Sequence, residues 1–328
     1  MASLQDTYIV PQLRERRRRL ELAVESGRES GELQRLLGEV DAALARVDAG
    51  SYGLCEFCHD PIESERLLAD PLLRFCLDHL SPDERRALEH DLETAAGIQR
   101  GLLPEPTLRL DGWHVHYRYE PAGPVSGDYC DLIRPHDDPR GFYFLFGDVS
   151  GKGVAAAMLM AHLHATFRNL LAGGRDVHRL VERANRVFRE STLAPYFATL
   201  VCGRAESSGA LEICNAGHCP PLVLSRGKVG QIEPTGLPVG AFRDVSYGSR
   251  SISLGAGDSL VLYTDGLSEA RDAGDREYGA ERIAAVAAAH AADSPERLAD
   301  ACFADLASHL GGAARSDDLT LMVLRRAG

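Results

Sequence analysis

The chain has 328 residues, 45% hydrophobic and 26% charged, with a formal net charge of -12 and a pI near 5.5. That length supports one large core plus a small domain. The acidic balance argues against a non-specific nucleic-acid binder, which is usually basic. No apolar run approaches the roughly 18 residues of a membrane span, and no secretory signal opens the chain.

Residues 10–48 predict a short helical hairpin, broken near Ser26-Gly27 and Ser30-Gly31. The arginine cluster at 14–19 reads as the solvated face of a helix in an otherwise acidic chain. Next comes a cysteine pattern. Cys55 and Cys58 form a C-x2-C pair, and seventeen residues later Cys76 and His79 form C-x2-H. Thiolates and imidazole at this spacing make a four-ligand tetrahedral site, favouring zinc or iron over magnesium. With all four ligands from protein, the site is closed and structural, for one zinc ion. A redox C-x2-C would need a βαβ setting, which the flanking sequence lacks. Cys130, Cys202, Cys214, Cys219 and Cys302 show no paired spacing, which predicts a reducing, cytoplasmic location.

DAGSYGLCEFC at 48–58, with Pro61-Ile62, Arg66-Leu67 and LLRFC at 72–76, resembles the DksA/TraR zinc-finger family, whose members bind RNA polymerase. His79 stands where that family has its fourth Cys, and the family's long coiled coil is shortened here. The resemblance implies a zinc module; an RNA polymerase contact is its weaker implication.

Ser81-Pro82-Asp83-Glu84 reads as a helix start, with Pro at the first helical position and acids in the first turn. The helix runs through Leu88, Leu92, Ala95, Ile98 and Leu102-Leu103 and stops before Pro104 and Pro106. Leu88, Leu92, Ile98 and Leu102 fall near one face and predict a contact stripe.

Beyond it, strands are expected at 113–119, 142–147, 198–205, 210–215, 221–225, 250–254, 259–264 and 318–325. Helices are expected at 153–172, 177–191, 279–291 and 295–310. Several strand ends carry acids beside glycines: Asp128 and Asp131, Asp148, Asp265, and the pair Asp317-Asp318. Such a set makes a cage for hard divalent cations, and two cations about 3.5–4 Å apart can clamp a phosphoryl group and activate a water. The glycine-rich stretch 147–153 also invites comparison with a phosphate-cradling loop. Its glycine spacing is one short, however, and Gly153 follows Lys152 where Ser or Thr is required. For any single Asp, a turn at a strand end remains the plainer reading.

Six segments run in one order: SGDYCD at 126–131, FGDVSGKG at 146–153, NAGHCPP at 215–221, GLPVG at 236–240, YTDGLSEA at 263–270 and DDLT at 317–320. Together they resemble the metal-dependent PPM protein phosphatases, in the bacterial branch typified by SpoIIE and RsbU. The resemblance implies an α-β-β-α sandwich behind a small helical zinc-finger domain. The domains would be residues 1–80, a linker helix at 81–105, and a phosphatase at 106–328.

The resemblance also assigns roles. Asp148 would bridge two Mn2+ or Mg2+ ions, with the carbonyl of Val149 and with Asp128 on one metal. Asp265 and Asp317 would sit on the other, with Asp318 as the alternative acid of its pair. An all-oxygen set suits those ions better than zinc. Asp131 would be a supporting or capping acid, and His218 would shape a loop. The implied activity is hydrolysis of phosphoserine or phosphothreonine on a signalling protein, with a STAS-domain anti-anti-sigma factor as candidate substrate. AGIQRGLLP at 96–104 matches the segment that joins regulatory and catalytic domains in these phosphatases. Pairing across a homodimer and packing on its own domain both stand for it. A second reading makes the chain an RNA-polymerase-associated regulator whose phosphatase fold is only a sensor; the intact acids argue against that. Neither reading predicts a membrane or a direct nucleic-acid contact.

Overall fold

A computed structural model describes residues 9–25, 31–80, 82–135, 141–171, 176–192, 196–243, 245–313 and 315–328. The chain divides into two compact units, Met1–Asp91 and Leu92–Gly328, so the dividing point falls within a helix, Pro82–Leu102.

In the first unit, α1 (Val10–Glu25) and α2 (Gly31–Asp48) form the hairpin, followed by α3 (Ser64–Ala69). The expected break at Ser26-Gly27 lies outside the described residues. Leu13 of α1 and Val40 and Ala43 of α2 are buried with Tyr52, Ile62 and Leu67, and with Cys55 and Cys76. The core of this unit is small and includes two of its own cysteines, so whatever the cysteines hold is part of what stabilises it. The arginine cluster is solvated and ion-paired locally, with Arg18 and Arg19 on Glu15 and Arg17 on Glu21 and Asp41.

The second unit contains the end of α4 (Pro82–Leu102) and two antiparallel sheets. In chain order these are β1 (Thr107–Leu110), β2 (Trp113–Glu120), β3 (Asp128–Ile133) and β4 (Gly141–Val149). The helices α5 (Gly153–Leu171) and α6 (Val177–Ser191) follow. Then come β5 (Ala198–Glu206), β6 (Ala210–Ala216), β7 (Leu222–Ser225), β8 (Lys228–Gln231), β9 (Arg250–Ser253) and β10 (Ser259–Tyr263). The short α7 (Asp265–Ser268), α8 (Ala280–Ala289), α9 (Pro295–Leu310) and β11 (Leu319–Arg326) complete it. One sheet has the order β1-β2-β11-β10-β7-β8, the other β3-β4-β5-β6-β9.

The apolar run on β4 explains the layering. Successive side chains on a strand point to opposite faces. Phe142, Phe144 and Phe146 enter the core between the sheets, with Trp113, Val115, Leu260, Leu262 and Met322. Tyr143 and Leu145 enter the core beneath α5 and α6, with Met160, Phe167, Val181 and Phe188. A strand buried on both faces has no polar alternate, hence the unbroken run. The other sheet packs Val261, Leu321 and Val323 against Ile283, Leu298 and Phe303 of α8 and α9. Helices, sheet, sheet, helices is the sandwich expected from sequence.

α9 is bounded by its own chemistry: Ser294 caps its start by accepting from the Arg297 amide, Pro295 opens the first turn, and Gly311 ends it with φ 57.

Part of the expected stripe on α4 faces solvent. Ile98 is 65% exposed and Leu88 is also exposed, whereas the buried positions in the second unit are Ala96 and Gln99. Leu92 and Leu102 are half-buried and Leu103 packs against the core between the sheets, so Gln99 shares the buried face with Ala96 and leucines.

Candidate active site and metal cluster

In the first unit, Cys55, Cys58, Cys76 and His79 place one ligand atom each within 4.8 Å of all the others. The turn after Cys55 is tight: the His59 amide donates to the Cys55 carbonyl at 2.9 Å and the Cys55 amide to the Asp60 carbonyl at 2.8 Å. Gly53 at φ 82 and His59 at φ 61 adopt the left-handed conformation this turn needs. Cys76 begins a single 3-10 turn, Leu77–His79, which puts His79 Nδ1 3.2 Å from Cys76 Sγ; Cys58 Sγ is 3.7 Å from Cys76 Sγ. Burial pushes the Cys55 thiol up, but the surrounding amides, with Cys58 first, outweigh it and bring it down to about 6. The Asp60 amide favours the Cys58 thiolate, yet burial and the neighbouring thiols push that thiol up to about 12. The donor set fits a closed tetrahedral soft-metal site.

In the second unit, acids from four strand ends meet. Asp128 opens β3 and Asp148 lies near the end of β4, and the antiparallel register sets them directly opposite. Asp265 follows β10, and Asp317-Asp318 precedes β11, its neighbour in the other sheet. Glycines permit the approach. A Cβ on Gly127 would lie 2.8 Å from the Val149 carbonyl oxygen and 2.9 Å from Asp148 Oδ1. A Cβ on Gly266 would overlap the Asp318 carbonyl oxygen, 2.0 Å away.

Asp128 is 2% exposed. Its Oδ2 accepts from the Thr264 hydroxyl at 3.2 Å and from the Thr320 hydroxyl in a short bond, so both neighbours come from the other sheet. Burial first, then Asp148, pushes the Asp128 carboxyl well above the ordinary range. Burial, then Asp265, Asp317 and Asp318, raises Asp148 to about 7. Burial and Asp317 raise Asp265. These groups repel one another and lack the counter-charge that two divalent cations would supply, so the residues present fit such a pair. Among the described residues only the Cys/His group draws its ligand atoms as close as 4.8 Å; the carboxylates stand wider.

The two acids of the last pair differ. Asp317 Oδ2 is 3.0 Å from Lys152 Nζ. Asp318 accepts from the Ala122 amide at 2.7 Å and the Gly127 amide at 3.1 Å, bracing the loop that presents Asp128. Asp131, three residues from Asp128, points to the opposite face. It is fully buried and takes a bidentate pair from Arg168 at 2.8 and 2.9 Å, tying β3 to α5 away from the acid cluster. Strand parity alone contained that distinction.

His218 is buried between the sheets. Its Nε2 lies 3.2 Å from the Tyr263 carbonyl oxygen, which can only accept, so Nε2 carries the proton and Nδ1 accepts from the Thr199 hydroxyl at 2.8 Å. Thr199 is paired with Asp148 in the β4–β5 register, and Tyr263 is two residues before Asp265. Burial lowers the imidazole to about 4. The residue is a neutral brace between β5, which pairs with the strand carrying Asp148, and β10, which leads into Asp265.

Three supporting residues were not singled out from sequence: Thr264, Thr320 and Gln99. The Gln99 amide nitrogen donates to the Ser126 carbonyl at 2.7 Å, and its oxygen accepts from the Ser126 amide at 3.0 Å. Ser126 Oγ in turn accepts from the Asp128 amide at 3.0 Å. The two threonines lay inside segments already quoted, but a hydroxyl aimed across sheets leaves no periodic mark.

Two antiparallel sheets between helix layers, with acids gathered where their strand ends meet, define the PPM-type protein phosphatase class, here behind an N-terminal DksA/TraR-like zinc finger. The chain belongs to the SpoIIE family: the family described as Stage II sporulation protein E matches residues 138–327. It is 28% identical over 265 residues to Protein IcfG of Synechocystis, covering 72% of this chain and 41% of that one. It is 26% identical over 248 residues to the phosphoserine phosphatase RsbU of Bacillus subtilis, covering 74% of this chain and 72% of that one. A shorter match, 39% over 57 residues, relates 17% of the chain to 40% of the RNA polymerase-binding transcription factor DksA of Caulobacter vibrioides. The SiaA-PP2C domain of Pseudomonas aeruginosa shares the fold at a TM-score of 0.65 and 22% identity, over 74% of this chain and 98% of that one. Among the described residues, no helix is long and apolar enough to cross a membrane.

Proposed function

We propose that the chain is a metal-dependent phosphatase that hydrolyses phosphoserine or phosphothreonine on a signalling protein. The observation that carries this reading is the mutually repelling set of buried Asp128 and half-buried Asp148 and Asp265, with Asp317, at four converging strand ends. Two Mn2+ or Mg2+ ions would be held by Asp128, Asp148, the Val149 carbonyl, Asp265 and Asp317. Asp318 spends its oxygens on the 122–127 loop and is the weaker ligand candidate. Bound there, the cations would neutralise charge on the phosphoryl oxygens and make a water acidic enough to attack phosphorus.

The chain's own residues set the stage for that chemistry. Thr264 and Thr320 fix one oxygen of Asp128, leaving the other to face the cluster. Gly127 and Gly266 let backbone close around the acids. Gln99 and Asp318 hold the loop before Asp128 from two sides. Lys152 stands at the Asp317 side of the site as a flexible, exposed cation able to attract a phosphate.

The Cys55, Cys58, Cys76 and His79 cluster would hold one zinc ion as a structural centre. The similarity to RsbU supports a phosphorylated regulatory protein as substrate, with a STAS-domain anti-anti-sigma factor as the first candidate. The similarity to DksA supports a second role for the N-terminal unit, contact with RNA polymerase, which co-purification with the core enzyme tests. Exposed Leu88 and Ile98 on α4 support pairing of that helix with a second copy, to be read as mass by light scattering. The catalytic reading is tested by phosphate release from a serine-phosphorylated STAS-domain protein in Mn2+. Release that persists after metal is stripped from the protein would refute it.

A further inference from the structure

α6 turns Arg186 and Arg189, three residues apart, to its outer side, while Leu180, Val181, Ala184, Asn185 and Phe188 face the core. With Arg243 and Glu190 they line a depression of ≈ 340 Å³. None of these three arginines is ion-paired among the described residues; Asp244 lies outside them. Elsewhere several arginines are held in ion pairs. Arg17 pairs with Asp41, Arg118 with Glu120, Arg168 with Asp131 and Arg282 with Asp305. In a chain of net charge -12, three neighbouring guanidinium groups without partners form a local positive field.

This patch is joined to the acid cluster by short links. Asn185 on α6 accepts from the Gly240 amide at 2.7 Å and donates to the Phe242 carbonyl at 3.3 Å, which pins the loop carrying Arg243. Gly240 packs on Phe188 and the backbone of Phe197. The Ser150 amide donates to the Phe197 carbonyl at 2.9 Å, and the Phe197 amide to Ser150 Oγ at 2.9 Å. Ser150 is two residues from Asp148. Phe197 and Phe242 are left 37% and 53% exposed. Aromatic area beside arginine is the composition of an interface centre.

We propose that Arg186, Arg189 and Arg243, with Phe197 and Phe242, form the docking surface for an acidic segment of the phosphoprotein substrate, next to its phosphoserine. The assignment rests on the phosphatase reading above and adds to it a substrate class: a phosphoserine flanked by carboxylates. An acidic protein should repel such a substrate, and this patch supplies the attraction where the substrate must land. Exposed ion pairs contribute little singly but steer association and fix register together.

The test uses two synthetic phosphoserine peptides of equal length, one with Asp and Glu around the phosphoserine and one with Asn and Gln there, together with p-nitrophenyl phosphate. The wild-type protein with Mn2+ should favour the acidic peptide by about tenfold in kcat/KM, mostly through KM, with the preference shrinking as salt rises. Arg186→Glu/Arg189→Glu/Arg243→Glu should remove or reverse the preference and leave p-nitrophenyl phosphate turnover unchanged. Equal kcat/KM for the two peptides in the wild type, with the small ester hydrolysed normally, overturns the docking surface alone. Hydrolysis of none of the three overturns the phosphatase reading. Docking is then judged by fluorescence anisotropy of the same peptides on Asp148→Asn, where equal affinities overturn it and tighter binding of the acidic peptide upholds it.

Discussion

Asp128 and Asp148 are direct cross-strand partners in the β3–β4 register. Like charges placed opposite one another weaken a sheet, and here one of the two is almost wholly buried. The arrangement is unfavourable as protein alone and reasonable as a cradle for cations. The hydroxyls on Asp128 come from Thr264 and Thr320 of the second sheet, so the site also fastens the two sheets together.

Those hydroxyls give the first prediction. Thr320→Val keeps the shape and removes the donor to Asp128. Loss of a group that orients a metal ligand commonly lowers metal affinity or activity by about 10–100-fold. The Mn2+ concentration for half-maximal turnover should rise by that order while far-UV circular dichroism is unchanged. An unaltered Mn2+ dependence would mean that the hydroxyl does not position Asp128.

Gln99 gives the second. Its buried amide makes two bonds to the Ser126 backbone. Gln99→Ala leaves a buried amide and carbonyl without partners, at about 1–3 kcal/mol in total stability, and frees the loop that presents Asp128. Urea denaturation should register that loss, and Mn2+ affinity should fall with it. Gln99→Glu should rescue less than half of the stability, since a carboxylate cannot donate to the Ser126 carbonyl. Full stability in Gln99→Ala would show the clamp to be dispensable.

Much of this was legible before any coordinates. The expected strands at 113–119, 142–147 and 198–205 lie within β2, β4 and β5: two-sided burial writes an apolar run on β4, and β2 shows the alternation of Trp113, Val115 and Tyr117 with polar residues. β1, β3 and β8 were not foreseen. All three are edge strands, with one neighbour and weaker demands on composition, and β3 alternates Asp128 and Asp131 to opposite faces, which breaks the pattern. The acids themselves were legible because chemistry limits which residues can sit there. Gln99 was not, since the helical stripe drew attention to Ile98, which faces solvent. A buried glutamine bonding a backbone has no spacing rule.

His218 gives a pH dependence. The folded imidazole titrates near 4, against an ordinary 6.5. Between those values the unfolded chain takes up a proton that the folded chain refuses. Stability from this group is therefore full above about pH 6.5, falls as pH drops towards 4, and is flat below; the span amounts to about 3 kcal/mol. Carboxylates titrate in the same window, so the comparison is with His218→Gln. That variant should show a shallower fall in unfolding free energy from pH 6.5 to 4. Parallel curves would place the imidazole near its ordinary value.

The cysteine cluster is tested separately. Cys55→Ser removes one of four converging ligands. Metal analysis should find about one zinc per wild-type chain and much less in the variant, as for a closed site losing a thiolate. Limited proteolysis should then cut within residues 9–80 and spare Leu92–Gly328, which is compact in its own right. Zinc-free wild-type protein prepared under reducing conditions would contradict the assignment.

The central claim is that Asp128, Asp148, Asp265 and Asp317 hold the catalytic cations. Its most direct measurement is isothermal titration of Mn2+ into metal-stripped wild-type protein and Asp148→Asn, read alongside turnover of a phosphoserine protein. The account predicts two Mn2+ sites in the wild type outside the cysteine cluster, loss of at least one in Asp148→Asn, and turnover reduced by orders of magnitude. Equal Mn2+ binding in the two proteins, or full turnover in Asp148→Asn, would contradict it.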